Sequence, residues 1–156
     1  MKPSTKPLKL SVNHMLRVVV DTVIFVRALL DPHSYSGRLL FEYSKNYRLF
    51  LSPPVIEEIL EVLGRGEIIR RFHLRHNNYP EAMARLLKSM DTAEIILPSE
   101  IQSISRDPED DKFLATAKAA NADYLISADR DLLDLKEFDR IKIIDAETFL
   151  QILQEK

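Results

Sequence analysis

A short apolar run near the start of the chain constrains the fold most strongly. Leu16 and Arg17 are followed by Val18-Val19-Val20, and Asp21 ends the run. A strand of nearly continuous apolar character is typical of a parallel sheet whose two faces are both covered by helices. The sequence therefore predicts a buried strand over residues 16–20, with a carboxylate directly after it.

The remainder of the chain alternates between helical and strand patterns. Strands are predicted over 48–51, 93–97, 124–127 and 141–144, and helices over 22–30, 37–47, 53–63, 67–75, 80–90, from about 110 to 121 and over 145–154. This alternation indicates βαβ units and a parallel sheet. We expect an α/β fold with three layers, α/β/α, around a central and mainly parallel sheet.

Length and composition bound the domain organisation. The chain has 156 residues, no cysteine and a formal charge of −2, which suits one domain in a reducing cytoplasm and leaves nucleic-acid binding open. Residues 1–14 are basic but have no apolar signal segment, so we expect a loosely ordered extension before a domain over 15–156. No apolar run approaches the roughly 20 residues that span a bilayer, so no membrane association is expected.

Two aspartates follow predicted strands. Asp21 follows the first strand, and Asp129 comes shortly after the strand over 124–127. The carboxyl ends of parallel strands meet at one edge of a sheet, where ligands bind, so these carboxylates are predicted to face one crevice. The alternatives are that Asp21 only caps the following helix and that Asp129 is only a turn residue.

A third acid is predicted at the start of the helix that reaches residue 121. Phe113, Leu114 and Ala117 lie three, four and seven residues after Asp110, which puts Asp110 inside the apolar stripe and Asp111 on its flank. A carboxylate aimed inward must be paired or must coordinate a cation. The alternative is a carboxylate that only complements the helix dipole.

The helix over 53–63 offers a fourth acid. Its predicted N-cap is Ser52, and its predicted core face, flanked by Val55 and Val62, consists of Ile56, Ile59, Leu60 and Leu63. Glu58 borders this face, Glu57 lies slightly farther round, and Glu61 points away. Periodicity therefore favours Glu58 as a site residue, leaves Glu57 open and assigns Glu61 to solvent.

The candidate set contains carboxylates without histidine or cysteine. Asp21, Glu58, Asp110 and Asp129 are hard oxygen ligands, which favour Mg²⁺ or Mn²⁺. Such ions activate water and stabilise charge at phosphorus. Arginines and lysines between 65 and 88 could meet RNA phosphates, although a solvated helical face explains them more simply.

Four blocks of the sequence resemble the PIN-domain ribonucleases, in particular the VapC-like toxins of toxin–antitoxin pairs. The blocks are Val18 to Thr22, Leu51 to Ile59, Arg106 to Ala117 and Ala122 to Leu133. The resemblance assigns the family's acids to Asp21, to Glu58, to either Asp110 or Asp111, and to Asp129. The helix-face pattern selects Asp110 for the third, and Ser127 stands where the family often has threonine or serine.

The resemblance implies a metal-dependent endoribonuclease that hydrolyses RNA, forms a homodimer and binds a small antitoxin protein. One residue departs from the family pattern, because Val23 stands where an asparagine usually follows Asp-Thr. This departure leaves a second interpretation open, a catalytically weak or inactive PIN-fold module that binds RNA or a protein partner. A phosphoacceptor receiver domain and a haloacid-type phosphatase are disfavoured, since Asp145 and Val23 occupy positions where those classes need lysine and aspartate.

Overall fold

The computed structural model describes residues 15–98 and 111–155. Within them the strands are β1 (Arg17–Val20), β2 (Arg48–Leu51), β3 (Glu94–Ile95), β4 (Tyr124–Ile126), β5 (Glu137–Phe138) and β6 (Ile141–Ile144). The main predicted strands are thus confirmed to within a residue at their ends, whereas the strand predicted over 93–97 is shorter. The predicted extension over 1–14 lies outside the described residues.

The helices form the outer layers of the fold. They are α1 (Thr22–Leu30), α2 (Tyr35–Gly37), α3 (Pro53–Leu63), α4 (Gly66–His73), α5 (Tyr79–Ser89), α6 (Asp111–Ala119), α7 (Arg130–Leu135) and α8 (Ala146–Gln154). The single helix predicted over 37–47 is wrong, because α2 continues into a π-helical turn (Arg38–Glu42) and a 3₁₀ turn (Ser44–Asn46). None of the helices in the described ranges has both the length and the apolar character that a membrane crossing requires.

The sheet has the strand order β3-β2-β1-β4-β6-β5. All described pairings are parallel except that of β5 with β6. The predicted three-layer α/β/α architecture with a mainly parallel sheet is therefore confirmed. Strand β1 lies between β2 and β4, and Val18, Val19 and Val20 are fully buried there, as expected for a strand covered on both faces.

Helix α3 packs on the core through a narrower stripe than predicted. Val55, Ile59 and Leu63 are fully buried, but Leu60 is 46% exposed. The buried residues follow one another at intervals of four, so they form a single row along the helix. Assigning Leu60 to the core was therefore wrong, and Val55, which was predicted on the flank, is the first residue of the buried row.

The predicted capping role of the Ser52 hydroxyl is also wrong. Ser52 occupies the N-cap position of α3, but its side chain makes no capping hydrogen bond. The next two residues, Pro53 and Pro54, have no N–H to be capped, which reduces the demand for a side-chain acceptor. The buried hydroxyl instead donates to Oγ1 of Thr116 on α6 at 2.7 Å, because the Thr116 proton is directed to the carbonyl of Lys112.

Gly37 permits a close backbone contact beside α2. A Cβ atom at this position would lie 2.1 Å from the carbonyl oxygen of Pro32. No side chain fits at that distance, so only glycine allows the chain to fold back on itself here. This contact closes the turn between the end of α1 and the end of α2.

We predict that Gly37→Ala lowers the free energy of unfolding by about 1–3 kcal/mol, because the added methyl group overpacks the contact with Pro32. Gly64→Ala is the matched control, since the nearest atom to its Cβ lies at 3.4 Å, an ordinary contact. Urea unfolding of both variants measures the effect. Equal stability of the two variants would contradict the proposed close approach.

Candidate active site

The carboxyl ends of β1 and β4 define a crevice at one edge of the sheet. After β1 the chain forms β2 and β3 on one side, and it later returns to β4 and β6 on the other side. The connections that leave β1 and β4 therefore diverge, which is the topological feature at which parallel sheets bind ligands. Asp21 follows β1 and Asp129 follows β4, so the predicted meeting of these two acids has a structural basis.

Asp21 is buried, with 2% of its surface exposed, and both carboxylate oxygens accept hydrogen bonds. Oδ1 accepts from the backbone N–H of Ile24 at 3.2 Å and thereby caps α1. Oδ2 accepts from Ser127 Oγ at 2.5 Å and from the backbone N–H of Ala128 at 3.3 Å. The side chain therefore caps its own helix, as the alternative interpretation held, and also joins β1 to the loop after β4.

Ser127 links the two acids. Its buried hydroxyl donates to Asp21 and accepts from the backbone N–H of Asp129 at 2.9 Å. The Asp129 carboxylate caps α7 by accepting from the N–H of Leu132 at 3.2 Å. Asp129 is thus a helix N-cap and not only the turn residue of the alternative interpretation, and α7 was not predicted from the sequence.

The surroundings of Asp21 disfavour its charge. Burial raises the pKa of Asp21 from 3.8 to about 6, and the negative charge of Asp129 adds to this effect. The hydrogen bonds from Ser127, Ile24 and Ala128 act in the opposite direction and only partly offset the loss of hydration. A carboxylate in this position gains from a nearby cation, because the cation favours the ionised form.

Glu58 is the acid of α3 that turns toward this edge. Its Oε2 accepts a short hydrogen bond from the hydroxyl of Thr22, the residue directly after Asp21. Its Oε1 lies 2.8 Å from the ammonium group of Lys112 on α6. Glu57 and Glu61 are exposed, and Glu61 pairs with Arg65 at 2.7 Å. Helical periodicity thus indicated the glutamate that faces the start of α1, whereas the ion pair with Lys112 was not predicted.

The third predicted acid, Asp110, lies outside the described residues, as does Asp107. Asp111 is the first described residue of α6, and it is buried with 3% exposed, whereas the helical pattern put it on the flank. Phe113, Leu114 and Ala117 are buried as predicted. The choice between Asp110 and Asp111 therefore stays open.

Two polar residues of this region were not identified from the sequence as site residues. Lys112 was not singled out because a lysine next to a run of acids gives no signal of its direction. Thr22 was noted only as part of the Asp-Thr pair. The first turn of α1 puts its hydroxyl within reach of Glu58, a contact between residues 36 positions apart that local periodicity does not contain.

The side chains suit a hard divalent cation, although the described part of the set is incomplete. Asp21, Ser127 and Asp129 offer oxygen donors, and the buried carboxylate of Asp21 has its pKa raised beside a second acid. Oxygen donors of this kind favour Mg²⁺ or Mn²⁺. Within residues 15–98 and 111–155, however, no group of three acidic or histidine side chains comes together closely enough to hold a metal ion. Asp21, Glu58 and Asp129 therefore do not form such a group by themselves, and Asp110 lies outside the described residues.

Part of the basic stretch lies near the C-terminal end of α1, away from Asp21, whereas Arg65 lines the same cavity as Glu58 and Lys112. His76 hydrogen-bonds through Nε2 to the carbonyl of Leu30 at 2.8 Å, and Leu30 is the last residue of α1, whose first turn is at the site. The exposed arginines of α4 and the following turn, Arg70, Arg71 and Arg75, are close to His76 in sequence. For these three arginines the geometry favours the simpler explanation, a solvated helical face.

The comparisons with known proteins agree with this fold. A family model described as "PIN domain" matches residues 17–131. The chain belongs to the PIN-domain family. Over 125 residues it is 26% identical to an uncharacterized protein of Methanocaldococcus jannaschii, a match that covers 78% of this chain and 76% of the relative.

Two solved structures share the PIN fold with this chain. The crystal structure of PAE2754 from Pyrobaculum aerophilum aligns with a TM-score of 0.60 and 16% identity, covering 99% of this chain and 100% of the other. A chain of the structure of VapBC2 from Rickettsia felis, bound to a DNA fragment from its promoter, aligns with a TM-score of 0.52 and 16% identity, covering 82% and 97%. PIN domains are generally nucleases and typically use divalent metal ions.

We predict that Asp21 makes the stability of the metal-free protein depend on pH. Because its folded-state pKa is raised, its stabilising contribution is present below pH 3.8 and is lost as the pH rises through about 6. Relative to the wild type, Asp21→Asn should therefore become more stable with rising pH. At about 1.4 kcal/mol per pKa unit, the change between pH 3.5 and pH 7.5 amounts to about 3 kcal/mol.

Urea unfolding in EDTA at several pH values measures this difference. The change with pH is the readout, because the amide also alters the hydrogen bonds at one carboxylate oxygen at every pH. Glu57→Gln, an exposed change on α3, is the control and should show no such trend. A constant difference between Asp21→Asn and the wild type across this range would contradict the raised pKa.

Proposed function

We propose that this PIN domain is an endoribonuclease that requires Mg²⁺ or Mn²⁺ and whose acids are Asp21, Glu58, Asp110 and Asp129. The observation that carries the proposal is the pairing of Asp21 with the Asp129 loop through Ser127, in the crevice between β1 and β4. A buried acid beside a second acid is a costly arrangement for stability alone. Functional sites concentrate such perturbed groups.

The described residues have distinct roles in this proposal. When bound, a divalent ion would supply Lewis acidity that makes water more acidic and offsets the charge developing at phosphorus. Asp21 and Asp129 would hold it, and Ser127 orients Asp21 through its hydrogen bond. Thr22 and Lys112 hold the Glu58 carboxylate in a fixed direction. RNA as the substrate follows from the family resemblance.

A non-catalytic module that binds RNA or a protein is the second candidate. Two observations favour it: Val23 is 38% exposed at the start of α1, where the family pattern has asparagine, and Lys112 neutralises Glu58. An ammonium group in contact with a carboxylate competes with a metal ion for it. Metal-dependent cleavage separates the two candidates.

We predict that the wild-type protein cleaves a mixed pool of single-stranded RNA with Mn²⁺ and stops when EDTA is added. Asp21→Asn and Asp129→Asn should each lower the rate by more than about 100-fold. Replacing residues that only hydrogen-bond to metal ligands already lowers affinity or activity about 10–100-fold. Glu57→Gln is the control, because Glu57 is an exposed carboxylate on the same helix as Glu58. Cleavage that persists in EDTA would contradict metal dependence.

Thermal melting with and without Mn²⁺ distinguishes an inactive metal-binding protein from a failed proposal. A metal that binds only the native state raises the melting temperature, and the Asp21 and Asp129 variants should lose this gain. Stabilisation by Mn²⁺ without RNA cleavage would favour the non-catalytic module. A wild type that shows neither effect would contradict the nuclease proposal.

The third acid is decided by comparing Asp110→Asn with Asp111→Asn. We expect Asp110→Asn to abolish cleavage and the Mn²⁺-linked stabilisation, and Asp111→Asn to have a much smaller effect, because the helical pattern directs Asp110 into the apolar stripe. Asp111 is itself buried, so either aspartate could be the third acid and the comparison distinguishes between them. The opposite result would show that the helix-face assignment is wrong.

The partners implied by the family are also proposals. We expect a homodimer and a small antitoxin protein, with action in the cytoplasm. Light scattering over a wide range of concentrations tests dimerisation, and a monomer throughout would contradict it. A small open reading frame immediately beside the gene, whose product blocks cleavage, would support an antitoxin.

A further inference from the structure

A cavity of about 260 Å³ opens next to the candidate active site. It shares Ser127 and Ala128 with the surroundings of Asp21, so the two sites have a common wall. Its other walls come from α1, from the turn that starts α2, from α7 and from the first residues of α8. The cavity therefore lies at the same edge of the sheet as the acids, beyond the ends of β4 and β6.

Ser36 gives the cavity an unsatisfied polar group. This residue lines the cavity and is only 3% exposed. Its hydroxyl makes no hydrogen bond with any residue in the described part of the chain. Buried hydroxyl groups nearly always have a partner, so this one still has the capacity to hydrogen-bond to a polar group that enters the cavity.

Tyr35 and Arg27 add the groups that hold single-stranded nucleotides. Tyr35 lines the cavity and is 49% exposed. Among the residues that the structure describes, its ring contacts no other aromatic ring and no cation. Arg27 on α1 is exposed, and its guanidinium forms no ion pair within residues 15–98 and 111–155. Aromatic faces and guanidinium groups are the usual means by which proteins stack unpaired bases and bind the phosphates between them.

Carboxylates line another part of the cavity. Asp145 uses Oδ1 to cap α8 by accepting from the N–H of Thr148 at 2.8 Å, whereas the exposed Glu147 makes no ion pair with a described residue. A carboxylate accepts hydrogen bonds from the exocyclic amino groups of bases. It repels the carbonyl oxygens that flank the single N–H of uracil.

We propose that this cavity is a nucleotide subsite for the residue of RNA next to the scissile phosphate. Tyr35 stacks on the base, Arg27 contacts a neighbouring phosphate, Ser36 hydrogen-bonds to the nucleotide, and Glu147 selects a base that carries an amino group over uracil. The inference rests on the proposed nuclease function for the identity of the substrate, but binding alone can test it.

The binding experiment uses fluorescence anisotropy of short labelled oligoadenylate, oligocytidylate and oligouridylate. The parent protein is the full chain carrying Asp129→Asn, so that the RNA stays intact. We expect Tyr35→Ala in this background to raise the Kd for oligoadenylate about tenfold, as for the loss of one stacked base. Glu147→Gln should narrow the difference between oligocytidylate and oligouridylate.

Matched variants exclude unfolding and general charge effects. Ser36→Ala should weaken oligonucleotide binding without lowering the melting temperature, because its hydroxyl has no partner in the described protein. Arg27→Ala should weaken binding of all three oligonucleotides. Leu74→Ala and Arg75→Ala remove exposed side chains near the far end of α1 and should leave binding unchanged.

Mapping of cut sites in random RNA completes the test. Wild-type protein should avoid uridine at one position beside the cut, and Glu147→Gln should lose this avoidance. Cleavage with unchanged binding in the Tyr35 and Ser36 variants would overturn the subsite and leave the nuclease proposal standing. Tyr35-dependent binding without any cleavage would support the subsite while contradicting the nuclease proposal.

Discussion

The hydrogen bond from Ser127 to Asp21 is the interaction on which the rest of the site depends. It joins the residues that follow the two central strands, β1 and β4, at 2.5 Å, and the same hydroxyl accepts from the backbone of Asp129. Because the chain leaves these strands in opposite directions, the bond lies at the base of an open crevice. The parallel sheet thus brings Asp21 and Asp129, which are far apart in the sequence, to the same crevice.

In the metal-free protein this arrangement disfavours the ionised form of Asp21. Asp21 is desolvated and stands beside another carboxylate, so its pKa is raised to about 6. Glu58, by contrast, has an internal counter-ion in Lys112. A bound cation would therefore favour the ionised form of Asp21, whereas Glu58 already has a positive partner within the protein. Because Lys112 competes with a metal ion for Glu58, a test of metal binding also tests whether this ion pair limits activity.

The fold was largely predictable because its strongest signals are local. The Val18 to Val20 run and the helix over 22–30 were correct, since apolar periodicity reflects burial directly. Strand β5 was missed because its hairpin turn uses Asp139 and Arg140 with positive φ angles of 48° and 71°, where glycine or asparagine is the usual signal. Within the site, the strand-end position of Asp21 and the orientation of Glu58 followed from pattern. The contacts of Thr22, Lys112 and Ser52 depend on tertiary packing, so sequence periodicity could not give them.

The central claim is that the pair formed by Asp21 and Asp129 holds a divalent cation in the crevice between β1 and β4. Anomalous diffraction from crystals of the full chain soaked in Mn²⁺ tests it most directly, because the ion itself is located. We expect an anomalous peak within coordination distance of both carboxylates, and its loss in crystals of Asp129→Asn. Well-ordered crystals with no peak at this position, or with Mn²⁺ bound only elsewhere, would contradict the account.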